Sequence, residues 1–297
     1  MENFILIGIF VMLGMIFRRV DTFPKETAQA LNMFALYVSV PALVLLKVPQ
    51  ITLSGANMIA AIAPCVVLLF SAVIVALGGY FWRWPRSTTG VLLLVVPLGN
   101  TSFMGVPMIQ AFFGTTALTH LIIYDQINML IFATYGIIII SLYGKQSSFK
   151  IFDIAKRMLF FPPTFALAVG ILLRPWLTSE KITLCLQNIS LTIVPLVMTA
   201  IGFQLRLRLP RQVLAPLSYG LLIKLIVAPL IVLLFCRIIG VSGQAVQVSI
   251  MEAGMPPMVT ASAMAVIAGM ENELAVALVG VGMILSFGTI PLLYWLM

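Results

Sequence analysis

The sequence predicts an all-α polytopic membrane protein: ten transmembrane helices in two inverted five-helix repeats, with helices 4 and 9 broken and crossing. Three observations carry this prediction. Hydrophobic residues make up 62 % of the 297 and charged residues only 9 %, against roughly 45–50 % and about 25 % in soluble domains. The apolar residues fall in runs of helical length, with no period-two alternation of the kind a barrel strand needs. Glycine and proline interrupt these runs at matching places in the two halves. So little polar surface cannot face water, and the solvent must be lipid.

The runs, cut at charged or Gly/Pro-rich joints, lie near residues 4–17, 28–46, 57–81, 88–110, 119–143, 158–173, 189–205, 213–238, 244–268 and 274–296. At ~20 residues per span they use nearly the whole chain. A soluble enzyme, a nucleic-acid binder and an appended extramembrane domain are excluded on that ground. The first run is short, but Arg18 and Arg19 can snorkel and extend it. It follows Glu2 rather than a basic region and precedes no small-residue cleavage site, so it is expected to be a retained helix and not a signal peptide.

Orientation follows from the basic residues. Of the 17, twelve lie in the loops after spans 1, 3, 5, 7 and 9, four lie in the loops after even-numbered spans (Lys47, Arg174, Lys181 and Arg237), and Lys224 lies inside span 8. By the positive-inside rule the odd loops are cytoplasmic and both termini face the non-cytoplasmic side of a plasma (inner) membrane.

Dividing the chain at the basic linker 144–157 leaves repeats at 1–143 and 158–297. Five spans is an odd number, so the second repeat runs upside down relative to the first. The segment Ala63-Pro64-Cys65-Val66-Val67-Leu68-Leu69-Phe70 in span 3 matches Ala228-Pro229-Leu230-Ile231-Val232-Leu233-Leu234-Phe235 in span 8 at six of eight places. Val40-Pro41 pairs with Val194-Pro195, and Gly105-Val106-Pro107-Met108 pairs with Gly254-Met255-Pro256-Pro257-Met258. The last pair matters most. Proline removes a backbone donor, and unwound backbone at membrane depth is tolerated only where it is buried or lines a cavity. Read singly, each break is an ordinary proline kink; as a matched pair in an inverted repeat, they mark a transporter's binding site.

Polar residues collect near these breaks. Asn100, Thr101 and Ser102 precede Met104 and Pro107 in span 4, and Glu252 precedes Met255, Pro256 and Pro257 in span 9. Lys224 lies near the middle of span 8, and Asp125 and Asn128 lie in span 5. A charge at the bilayer centre costs ~2.5–3.5 kcal/mol even on lenient scales, so these side chains face the protein interior. Lys224 reads either as an internal counter-charge to Asp125 or Glu252, or as a group that binds substrate or a coupling ion. No catalytic motif, metal-ligand cluster or cofactor cradle occurs. His120 stands alone, Cys65, Cys185 and Cys236 have no paired spacing, and the seventeen methionines read as flexible packing.

Four segments, "ALNMFALYVSVPALV" (30–44), "GNTSFMGVPM" (99–108), "KLIVAPLI" (224–231) and "EAGMPPMVTASAMA" (252–265), give a resemblance that runs nearly end to end. The chain resembles the auxin efflux carrier family, which includes plant PIN carriers and bacterial malate or malonate permease-like proteins. The resemblance implies a scaffold of helices 1, 2, 6 and 7, a transport domain of helices 3, 4, 5, 8, 9 and 10, an elevator-type motion, an organic-anion cargo and a homodimer. The linker after span 5 is short and Met283 stands where relatives often have Thr, so a small carboxylate is expected rather than auxin. Asn100 and Thr101 would donate to the carboxylate, Pro107, Pro256 and Pro257 would shape the crossing, and Asp125 and Glu252 would couple a proton or sodium ion. A passive channel and a membrane-embedded enzyme are the remaining alternatives.

Overall fold

The computed structural model describes residues 2–51, 55–145, 161–205 and 213–297. The linker expected at 144–157 lies outside them from residue 146 on, as do Arg206, Arg208 and Arg211. The described chain is helical throughout, with α1 at Glu2–Phe17, α2 at Thr27–Gln50, α3 at Gly55–Phe81, α4 at Arg86–Val95, α5 at Thr101–Phe113 and α6 at Leu118–Tyr143. There follow α7 at Pro162–Leu172, α8 at Glu180–Gln204 and α9 at Leu214–Ile238, α10 at Gln244–Ala253, α11 at Val259–Ile267 and α12 at Asn272–Leu296.

Six of these, α2, α3, α6, α8, α9 and α12, provide 24 to 26 residues that are long and apolar enough to cross a membrane. At 1.5 Å per residue that is roughly 37 Å, more than the ~30 Å hydrocarbon core. Large apolar side chains stand exposed along them, among them Leu69, Leu130, Leu222 and Leu234, as a lipid-facing surface requires. This is an all-α polytopic membrane protein.

Proline sets the local backbone. Pro41, Pro107 and Pro229 each follow a π turn that ends two residues earlier, at Ala35–Ser39, Thr101–Gly105 and Ile223–Val227. A widened turn accommodates a residue that has no N–H to donate and whose ring crowds the carbonyl four residues back. The matched prolines of the two halves behave differently: Pro64 sits inside continuous α-helix and Pro229 does not.

Two expected boundaries move. Helix α8 begins at Glu180 rather than near 189, because its polar first turns, read as loop, are helical and place Glu180 in the favourable acidic position near an N-terminus. Lys47, assigned to a loop, lies in the last turn of the α-helical part of α2 and is only 6 % exposed.

The chain divides into two compact units. The first comprises Met1–Leu53, Ser102–Ile122 and Lys156–Leu205; the second comprises Ser54–Thr101, Ile123–Ala155 and Arg206–Met297. In the first unit, α1 packs on α8 at backbone contact. A Cβ added to Gly14 would lie 2.1 Å from the Thr199 carbonyl oxygen, and one on Gly202 would lie 2.0 Å from that of Val11. Small residues serve this purpose in membranes, where lipid tails remove the hydrophobic drive between helices and dispersion needs close approach. Arg18 Nη1 donates to the Leu205 carbonyl (2.8 Å) at the end of α8.

In the second unit, Tyr219 Oη donates to the Ile74 carbonyl (2.6 Å) and its ring meets those of Trp82 and Trp84 edge-on, at 5.1 and 5.3 Å. Indole and phenol groups clustered where α3 ends have the amphipathic character of a membrane-interface anchor.

Candidate functional site

Two interruptions build the site, both within the second unit. Helix α4 ends at Val95 and α5 starts at Thr101; helix α10 ends at Ala253 and α11 starts at Val259. The unwound residues between them pair as a short antiparallel bridge, Gly99 opposite Pro257. The Asn100 N–H donates to the Pro256 carbonyl (2.8 Å), and the Met258 N–H donates to the Leu98 carbonyl (3.0 Å). Each break thus satisfies backbone groups of the other, which buried non-helical backbone must achieve in lipid. Pro256 and Pro257 disfavour α geometry in the residue before each. They bring no N–H of their own, and the bridge asks for none at either position.

The span 4 break falls earlier than expected. It occupies residues 96–100, and Pro97 and Gly99 carry it. Pro107, expected to shape the crossing, instead lies seven residues beyond the break, taken up by the π turn at Thr101–Gly105. It belongs to the first unit, together with Ser102 and Met104. The residue of span 4 that faces Pro257 is Gly99, ahead of Gly105 and Pro107. The dipeptide Leu98-Gly99 following Pro97, inside an apolar run, was the signal that could have located it.

Side chains from α6 hold the first break. Asn128 Nδ2 donates to the Gly99 carbonyl (3.0 Å) and lies 3.4 Å from Thr101 Oγ1. Thr101 Oγ1 donates to Asp125 Oδ1 (2.5 Å), and Gln126 Nε2 donates to Asp125 Oδ2 (3.3 Å). Asn128 follows Asp125 at a spacing of three, so one helix face presents both. Asn100, Thr101, Asp125 and Asn128 are all buried.

Lys224 comes from the π turn of α9, a widened turn of the kind found at functional sites. Its ammonium lies 3.2 Å from where a Gly99 Cβ would stand, with the Glu252 carbonyl oxygen 3.4 Å from the same point. Glycine at 99 leaves the ammonium room beside the break. Lys224 and Glu252 are both 0 % exposed. Lys224 Nζ, both carboxylate oxygens of Glu252 and Asn100 Nδ2 have no hydrogen-bond partner among the described residues. A buried polar atom left unpaired costs about 1–3 kcal/mol, and more when charged. Four such atoms gather around one backbone crossing.

The structure therefore gathers Asn100, Thr101, Asp125, Asn128, Lys224, Glu252, Pro256 and Pro257 around one crossing. Met255, fully buried, donates its N–H back to the Glu252 carbonyl (3.1 Å). Among the described residues no three or more His, Cys, Asp or Glu side chains gather to hold a metal ion.

Comparison with known proteins adds the family. An uncharacterized transporter of Methanothermobacter thermautotrophicus is 26 % identical over 296 residues, covering 98 % of this chain and 96 % of its own. An uncharacterized transporter of Methanocaldococcus jannaschii is 24 % identical over 293 residues, covering 94 % and 91 %. The family described as membrane transport protein matches residues 1–294. The chain belongs to that family, and its function is transport across a membrane rather than enzymatic catalysis.

Proposed function

We propose that this secondary transporter moves a small organic anion, a carboxylate, which binds at the crossing of the two breaks. The observation that carries the reading is that the ammonium of Lys224 and the side-chain amide of Asn100 are both buried at the crossing with no hydrogen-bond partner among the described residues. Together they offer a formal positive charge and two N–H donors in a buried setting. Helices α5 and α11 both start at the crossing, and their first-turn N–H groups add partial positive charge. The resemblance to auxin efflux carriers points to the same class of cargo.

Ten crossings are the natural count. The two interrupted segments supply halves of roughly 14 to 20 Å at 1.5 Å per residue, each about half or more of the ~30 Å core, so that α4 with α5 and α10 with α11 each make one span. Helices α1 and α8 run in the same direction, as the first and seventh of ten spans must: Ile7 lines one groove with Leu191 and Val194, and Gly14 meets Thr199 and Gly202 further along. An elevator motion suits a chain whose two compact units separate α1, α2, α7 and α8 from α3, α9, α10, α11 and α12. Residues 102–122 group with the would-be scaffold instead of with the moving part.

A second reading makes Asp125 and Glu252 sites for a coupling proton or sodium ion. It is favoured by the two unpaired carboxylate oxygens of Glu252.

Uptake of labelled mono- and dicarboxylates into proteoliposomes, with and without a pH or sodium gradient, tests both readings. Asn100→Ala is expected to weaken uptake about ten- to hundredfold, as one hydrogen bond to a charged group is worth roughly 1.5–3 kcal/mol, while the protein stays folded in detergent. Unchanged affinity and rate in that variant reduce the motif to a backbone device. For topology, a cysteine placed at Ser148, in the linker counted as cytoplasmic, is expected to resist membrane-impermeant reagents applied to intact cells. Labelling from outside overturns the inverted arrangement.

A further inference from the structure

The first unit contains a second concavity that the crossing does not explain. It is a cavity of about 170 Å³ between the C-terminal end of α2, α5 and the first turns of α8. Its polar wall includes Lys47, Gln50, Gln110, Thr183, Gln187 and Ser190. Lys47 is the only ionisable side chain among the described residues that line it. Glu180, at the exposed start of α8, is not part of the wall.

The ammonium of Lys47 is poorly compensated. The side chain is only 6 % exposed, and its hydrogen bond runs to a neutral acceptor, Gln50 Oε1, at 3.3 Å. The same oxygen receives Thr119 Oγ1 at 3.5 Å, which leaves the two amide hydrogens of Gln50 outside these bonds. Nor does Lys47 have to cap its helix. The carbonyls of Pro49 and Ile51 already accept from Arg174 Nη2, at 3.0 and 3.1 Å. A cation held away from water needs a partner, and the wall supplies amides but no carboxylate.

We propose that this cavity is a second anion site, which takes a small water-borne carboxylate with its charge on Lys47 and its remaining oxygens on the amides of Gln50, Gln110 and Gln187. A space of about 170 Å³, below the ~300 Å³ near which pockets for drug-sized ligands start, suits an acid of three or four carbons. The site stands or falls independently of the crossing. In the orientation argued above it lies towards the non-cytoplasmic side, where it would concentrate cargo before transport.

Malonate is the probe. Equilibrium dialysis of labelled malonate against the full chain in detergent is expected to show a Lys47-dependent component beside that of the crossing: at least tenfold weaker in Lys47→Met, retained in Lys47→Arg, and still present in Asn100→Ala, which weakens only the crossing component. Gln187→Leu, which leaves the buried ammonium in place, is expected to weaken the same binding severalfold and decides the matter should Lys47→Met not fold. Malonate binding within twofold of wild type in Gln187→Leu, and in Lys47→Met where it folds, overturns the proposal. So does Lys47-dependent binding of phosphatidylglycerol that malonate cannot displace, because the occupant is then a lipid headgroup. Loss of binding in Asn100→Ala with no change in the Lys47 variants removes this site and leaves the crossing site in place.

Discussion

Lys224→Met is expected to lower the thermal stability of the detergent-solubilised protein by about 3–5 kcal/mol and to abolish carboxylate uptake. The side chain is fully buried and its ammonium lies beside the first break at Gly99. The second unit also buries Asp125 and Glu252. Lys224 is the formal positive charge that the structure places at the crossing with them. Without it, two carboxylates share a region of low dielectric with no counter-charge, and breaking such an arrangement from one side typically costs ~3–5 kcal/mol.

The double variant Lys224→Met/Glu252→Gln separates two roles. Neutralising both partners of a buried pair together can be nearly harmless, so stability is expected to return. If Lys224 also holds the cargo, uptake stays lost. Recovery of stability with uptake still absent is the expected result. Recovery of both reduces Lys224 to an internal counter-charge and removes the cargo-binding role. That Lys224 Nζ has no hydrogen-bond partner among the described residues favours the cargo role.

What the sequence made legible follows from physics that acts locally. Lipid as solvent is written in the composition, and the break of span 9 is written in Met255-Pro256-Pro257, where two successive prolines leave no helical alternative. The break of span 4 was placed too late because Gly105 and Pro107 look like the stronger interruption. A π turn absorbs Pro107, whereas Pro97 opens an unwound stretch that the second break can pair with. That choice depends on a partner about 160 residues away, and no local pattern reports it. The spacing of three from Asp125 to Asn128 announces a shared face. That the face would clamp Gly99 and Thr101 is tertiary information. Lys47 was hidden for a different reason: a basic residue at the end of an apolar run reads as solvated, and only the packing of α5 and α8 against α2 shows it buried.

Gly202→Ala, the smallest change available, is expected to be among the most damaging. The added methyl would stand 2.0 Å from the Val11 carbonyl oxygen and 2.8 Å from its carbon, both backbone atoms that cannot rotate away. Gly14 faces the reciprocal obstacle, 2.1 Å from the Thr199 oxygen and 2.8 Å from the Phe203 nitrogen. The spacing of three between Val11 and Gly14, and between Thr199 and Gly202, lays one helix directly on the other. Accommodating a Cβ means moving α1 off α8 along that contact, which forfeits close packing over several turns. Overpacking costs ~1–3 kcal/mol where side chains can yield, and here they cannot, so about 3 kcal/mol or more is expected. Gly8, in the same helix, supplies the control: nothing lies within 4 Å of its would-be Cβ, so Gly8→Ala is expected to be neutral or to stabilise by up to ~1 kcal/mol through helix propensity. Thermal melting of the three proteins in one detergent reads the difference. A Gly202→Ala protein that melts with Gly8→Ala refutes the backbone contact. A Gly202→Ala protein that melts early should also lose malonate binding at Lys47, because α8 carries Gln187 into that cavity and α1 holds α8 in place.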